Sequence, residues 1–410
     1  MNKKNMNSNI EHANLKNNIN EKQTANRTIR IFGITSLGHA LCHIYILAFS
    51  AILGLMAQEF NLSLTQITGI GSICFILFGI GSFPAGIMTT YSNPKLTLSL
   101  FYAGSALASI IIYFSSNVSM LIAGLAMLGL FASIYHVAGL SLIAYHIKKI
   151  GKSYGVHGVA GSAGITLAPL IASVIANTYG WRAVYLILSI PGVLGFLFLV
   201  FDRSIPLKRS IELPKRTESR KTIILFFVIF LLVMMISGFV YRACLTIFPT
   251  YISERIHLNN LNPLLTGGFL SSAILAFGMV GQYVAGVLSD YINRLLLYFL
   301  LLAIAGVNLI LLGLNSNNIL LFIAIIFSLF YFALQPIENS IISFVSPSKF
   351  TSSVFGLKFI LTFGVGGLGG IFSGYVSENI GTHFVFIFIG IASGVCAIMA
   401  SFLIGKVKTS

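Results

Sequence analysis

Apolar residues run in long stretches from Arg30 to Lys406, interrupted by short polar breaks. A helix rising 1.5 Å per residue needs about 20 residues to cross a bilayer core of ~30 Å. On that measure the pattern predicts twelve membrane-spanning helices, over 31–56, 65–91, 96–115, 118–147, 154–178, 183–201, 222–252, 265–292, 295–314, 318–345, 352–376 and 382–405. The expected fold class is an all-α polytopic membrane protein.

The polar breaks organise these spans. The longest, over 202–221, is basic and divides them into two sets of six. The expected organisation is a disordered tail over 1–29, an amino-terminal six-helix bundle over 30–201, a linker over 202–221 and a carboxy-terminal six-helix bundle over 222–406. The two sets also repeat at an offset of about 201 positions: Tyr154-Gly155-Val156-His157-Gly158 lies over Phe355-Gly356-Leu357-Lys358-Phe359, Gly180 over Gly381, and Lys148 over Lys349. Matches at one register predict two six-helix pseudo-repeats.

Charge gives the orientation. All but four of the 25 Lys and Arg fall in the tail or in loops on one side, together with both termini. Arg182 and Arg255 fall on the other side, while Arg242 and Lys358 lie within spans. Basic residues collect in cytoplasmic loops, so both termini are expected in the cytoplasm and the protein in the cytoplasmic (inner) membrane. The net charge of +15 is therefore topological, and no nucleic-acid partner is expected. The first 28 residues are rich in Asn and Lys and lack the apolar core of a signal peptide. Cys42, Cys74, Cys244 and Cys396 lie inside spans without metal-ligand spacing, so neither disulfides, a metal nor a cofactor is expected.

With 9% charged residues and a mean hydropathy of +0.92, ionisable side chains inside the spans are the functional candidates. Such a charge costs about 2.5–3.5 kcal/mol on insertion scales and persists mainly where it faces a partner or a wet cavity. Seven qualify: His39, His43, His136, His157, Arg242, Glu338 and Lys358. All seven are expected at a substrate-binding pathway, with Glu338, His136 and His43 carrying protons. His39 and His43, four apart, share a helix face. Glu338 follows Gln335-Pro336, where the backbone should kink. It is the one carboxylate among the seven, and it serves either as a proton carrier or as a fixed partner of Lys358 or Arg242. Arginine keeps its charge, so Arg242 either binds an anion or pairs with an acid. Lys358 either lines the pathway or snorkels to the interface. Two fixed cations against one carboxylate predict an electropositive cavity suited to anionic or zwitterionic solutes. Glu59 and Glu254 read as rim charges, and Trp181 and Arg182 as interface anchors.

Two motifs accompany these residues. Gly286-Val287-Leu288-Ser289-Asp290-Tyr291-Ile292-Asn293-Arg294 resembles the cytoplasmic loop motif of the major facilitator superfamily, with Gly286, Asp290 and Arg294 in gating positions. Its counterpart from Gly86 to Lys95 has Thr90 where an acid is expected. In span five, Gly155, Gly164, Ala168 and Pro169 resemble that superfamily's antiporter motif, with Ala or Ser replacing some of its glycines. Gly38-His39, Tyr135-His136-Val137-Ala138-Gly139 and the stretch around His157 are similar to the fosmidomycin resistance branch, although Val137 stands where that branch has proline.

The resemblance implies two bundles of six helices rocking about a midplane site. The expected function is a secondary active transporter, with protons and a small-molecule substrate as partners, most simply proton-coupled efflux by a monomer. The alternative is proton-coupled uptake of an anionic nutrient or a metal-chelator complex. No nucleotide-binding loop or nucleophile motif argues for an enzyme.

Overall fold

The computed structural model describes residues 3–92, 94–146, 150–202, 220–258, 260–315, 319–345 and 351–405. Twelve of its helical segments are long and apolar enough to cross a membrane, and no strand occurs among the described residues. The first half comprises α1 (Lys3–Phe60), α2 (Leu64–Tyr91), α3 (Pro94–Tyr113), α4 (Val118–His146), α5 (Ile150–Tyr179) and α6 (Trp181–Phe201). The second comprises α7 (Arg220–Arg255), α8 (Pro263–Leu288), α9 (Arg294–Leu314), α10 (Ile319–Phe332), α11 (Leu334–Val345), α12 (Thr351–Phe359), α13 (Leu368–Asn379) and α14 (Thr382–Ser401). Span ten is α10 with α11. Span eleven is α12 and α13 joined by a π-helical turn over Ile360–Val365.

Two of three local features depart from the reading of the sequence, and the third, the break in span ten, is the kink expected at Gln335-Pro336. Helix α1 begins at Lys3, where a disordered tail over 1–29 was the expectation. Neither proline nor glycine occurs before Gly33, so no backbone breaker separates the polar turns from the apolar ones. Span ten breaks at Ala333. Pro336 has no N–H to offer the carbonyl of Phe332, the last residue of α10, and the helix restarts at Leu334. The π-turn in span eleven, closed by Gly366 N–H donating to Leu361 O at 3.1 Å, leaves no signature in hydropathy. Most of the linker, residues 203–219, lies outside the described residues, as do Lys148, Lys149 and Lys349.

Elsewhere local chemistry sets the boundaries. Ser63 and Gln66 form a capping box at the start of α2, and Asn262 and Asn293 cap α8 and α9. Gly180 and Gly381, equivalent in the repeat, turn the chain into α6 and α14 at φ of +82° and +132°, values that L side chains rarely adopt.

The halves meet along two helix pairs, α2 with span eleven and α5 with α8. Both seams depend on close backbone approach. A Cβ on Gly79 would overlap the backbone of Gly364, and one on Gly268 would overlap Ser173 and the Pro169 carbonyl. These seams flank the space between the halves where the buried ionisable residues gather.

Candidate functional site

Four histidines converge in the first half. The His39 and His157 rings stack at 4.2 Å between centroids, and His136 lies edge-on to His39 at 4.9 Å and to His43 at 5.2 Å. Spacing of i, i+4 on α1 brings His43 Nε2 to 3.2 Å from His39 Nε2. His39 Nδ1 donates to the carbonyl of His157 at 2.8 Å, since a carbonyl only accepts. The Tyr135 hydroxyl donates to Thr35 O and lies 3.5 Å from His157 Nε2. All four histidines are buried.

Across the interface the second half supplies a buried ion pair. Lys358 Nζ lies 2.8 Å from Glu338 Oε2 and donates to Asn339 Oδ1 at 2.9 Å, while the Tyr298 hydroxyl donates to Glu338 Oε1 at 2.8 Å. Both carboxylate oxygens are engaged. The pair is formally neutral, which makes an ammonium group tolerable at this depth. The π-turn begins two residues after Lys358 and carries Thr362 and Phe363 to the same face.

The two groups face a common space. A cavity of about 620 Å³ is lined by His43 from the first half and by Glu338, Lys358, Gln335, Tyr241 and Phe363, among others, from the second. A smaller one, about 310 Å³, is lined by His39, His136, His157, Gln335, Asn339 and Phe359. Gln335 and Phe359 border both.

Six of the seven singled-out residues therefore gather at these two cavities, and Arg242 does not. It is buried behind the cavity, with its guanidinium carbon 3.7 Å from the centroid of the Phe75 ring. None of its three nitrogens has a hydrogen-bond partner. Phe75 in turn meets Phe363 at 6.5 Å, so an aromatic layer separates Arg242 from the solute space. Pairing of Arg242 with Glu338 is thus excluded in this conformation, and so is snorkelling of Lys358, whose side chain is 4% exposed. Tyr298, Asn339 and Gln282, which donates to Gln335 at 3.1 Å, escaped the sequence reading. The two amides were visible as polar residues inside spans, but Tyr298 is one of 16 tyrosines with nothing to distinguish it.

The motif residues sit at seams and turns. A Cβ on Gly164 would overlap the backbone of Ala40, Ala168 is fully buried, and Pro169 lies against Gly268 of α8, so the span-five motif packs α5 on both α1 and α8. Gly155 belongs to α5, but its surroundings fall outside the described residues. Gly286 is buried, and Asp290 and Arg294 lie 3.8 Å apart within their own loop. In the first half, where Thr90 replaces the acid, Lys95 Nζ donates instead to the Asp202 carbonyl at 2.7 Å and the Val200 carbonyl at 3.3 Å, at the carboxy-terminal end of α6. Glu59 accepts from Trp181 Nε1 and from Arg182, both at 2.7 Å, an interfacial cluster remote from the cavity.

Known proteins agree with this architecture. A crystal structure of a bacterial homologue of the human lysosomal transporter Spinster, inward-facing and occupied, superposes with a TM-score of 0.75 at 16% identity, covering 92% of this chain and 96% of that one. A probable hexose phosphate transport protein of Chlamydia trachomatis is 23% identical over 205 residues, 49% of this chain and 44% of the relative. The multidrug resistance protein MdtG of Proteus mirabilis is 29% identical over 170 residues, 41% of each. The chain thus spans less than half the length of these two relatives. The profile of the Major Facilitator Superfamily matches residues 35–368, most of the chain. This multi-pass membrane protein belongs to the Major Facilitator Superfamily.

Proposed function

We propose that the protein is a proton-coupled secondary transporter that moves a small anionic or zwitterionic organic solute across the cytoplasmic membrane by alternating access. The observation that carries this reading is the Glu338–Lys358 pair at 2.8 Å on the wall of the larger cavity. An isolated ammonium group there attracts an anion, and a carboxylate beside it can be neutralised by a proton. Solute and proton thus compete for, or share, one pair of groups.

The pair distinguishes two kinds of coupling. A zwitterion would set its carboxylate on Lys358 and its ammonium on Glu338, and a proton arriving at Glu338 would displace the ammonium. That is antiport, and it supports export. A simple anion would take Lys358 once a proton neutralises Glu338, so anion and proton would travel together. That is symport, and it supports uptake.

Export is our first reading, supported by the span-five motif at the α5 seam and by the relative named for multidrug resistance. Uptake is supported by the relative named for hexose phosphate, itself an anion. Everted membrane vesicles with an imposed proton gradient test both against a panel of sugar phosphates, aldonates and dipolar solutes. Accumulation of a dipolar solute driven by interior acidity supports export, and failure of every charged solute to move in either direction would remove the reading.

A further inference from the structure

We propose that His39, His43 and His136 form a binding site for a divalent first-row transition-metal ion, with its remaining coordination positions open to the cavities. One ring nitrogen from each residue lies within 4.8 Å of the others. At a tetrahedral centre with metal–nitrogen bonds of about 2.0–2.1 Å, ligand nitrogens stand roughly 3.4 Å apart. The His39 Nε2 to His43 Nε2 separation of 3.2 Å already meets that spacing. With all three nitrogens within 4.8 Å, His136 has to close by no more than about 1.5 Å, within the range of a side-chain torsion.

The arrangement of protons points the same way. Because His39 Nδ1 donates to the His157 carbonyl, the lone pair of neutral His39 lies on Nε2 and faces His43. A backbone carbonyl on the far nitrogen is the outer contact that orients metal-ligating histidines. His136 Nε2 is buried without a hydrogen-bond partner among the described residues, on a side chain that is 2% exposed. Such an orphan is costly in an apolar interior, and coordination through that nitrogen relieves it.

Three imidazoles suit zinc, copper, nickel and cobalt rather than magnesium or calcium, which prefer oxygen. Three ligands also leave room for another, as in metal sites that keep an open position. That position has space beside it, since His43 lines the larger cavity and His39 and His136 the smaller. The inference does not depend on the direction of transport or on Glu338.

The test uses the full-length protein, purified in detergent, stripped with a chelator and titrated with Co²⁺, whose visible absorption intensifies in four- or five-coordinate nitrogen sites. The expected result is one Co²⁺ per chain with that absorption, displaced by Zn²⁺. H39Q and H43Q should each weaken binding at least tenfold. H136F should do the same while fitting the aromatic stack of Phe78, Phe359 and Phe363, so its loss of metal cannot be ascribed to an orphaned polar group or to unfolding. H257Q, at an exposed position, should leave binding unchanged. No Co²⁺ bound by the unsubstituted protein, or binding that survives both H43Q and H136F, overturns the proposal.

Discussion

Asn177 and Glu378 close the same joint in opposite halves. They stand at equivalent positions of the repeat, near the ends of α5 and α13, and each reaches the first turn of a helix in the other half. Asn262, the cap of α8, donates to Asn177 Oδ1 at 2.7 Å. Glu378 Oε2 accepts from Thr65 N–H at 2.9 Å, from Thr65 Oγ1 at 2.5 Å and from Ser63 Oγ at 3.1 Å, at the start of α2. A carboxylate at a helix amino terminus is favourable for both its hydrogen bonds and its charge. These contacts hold the halves together at the end opposite the chain termini.

Replacing Glu378 should therefore open that end. In an alternating-access protein a contact made in one state biases the equilibrium by its differential strength. E378A is expected to raise, severalfold, the labelling by an impermeant maleimide of a cysteine placed at Ser72, which is buried against Gly370 beneath the joint. The native cysteines are all buried and give a low background. Unchanged labelling would mean that the joint does not hold this end shut.

The ion pair predicts a non-additive pair of substitutions. Removing one member of a buried pair leaves the other uncompensated, at a cost of about 3–5 kcal/mol. E338Q alone and K358Q alone should lower the thermal unfolding midpoint, and E338Q/K358Q should recover most of the loss, yet none should restore solute accumulation. Thermal unfolding in detergent with a double-mutant cycle checks this.

Arg242 predicts the opposite balance of stability and function. R242M gives up the stack on Phe75 but also removes a buried charge with no hydrogen-bond partner, so it should fold about as well as the parent, whereas F75L loses the stack, about 2 kcal/mol when desolvated, and keeps the charge. If Arg242 meets anions when the end held by Glu378 opens, R242M should abolish uptake of an anionic solute from that side. R242K should rescue poorly, because an ammonium lacks the planar stacking face. Expression level, unfolding midpoint and initial transport rate separate the two effects.

Gly79 predicts a steric requirement at the seam of α2 with span eleven. A side chain there meets the backbone of Gly364, which cannot rotate away. G79A should cost about 1–3 kcal/mol by overpacking and slow transport, while G54A, where a Cβ meets nothing, should do neither.

Much of this architecture was legible from the chain. Hydropathy defines twelve spans because the bilayer sets their length, and twelve segments long and apolar enough to cross it occur among the described residues. The buried His, Glu and Lys residues stood out because a charge is rare and costly in an apolar run, and six of the seven gather at two adjoining cavities. Arg242 lies off these cavities in this conformation because the repeat relates spans, not rotations about their axes: it shares α7 with Tyr241, which lines the cavity, yet stacks on Phe75. The break at Ala333 was announced by Pro336, whereas the π-turn was hidden, because it depends on which carbonyls change donors and hydropathy is blind to that.

The central claim is that Glu338 couples solute to protons through Lys358. Purified protein in liposomes, with and without E338Q, should be measured for solute exchange at equal pH and for accumulation driven by a pH gradient. The account predicts that E338Q retains exchange, because alternating access and the Lys358 site survive, and loses gradient-driven accumulation. Accumulation by E338Q at the parental level would contradict it.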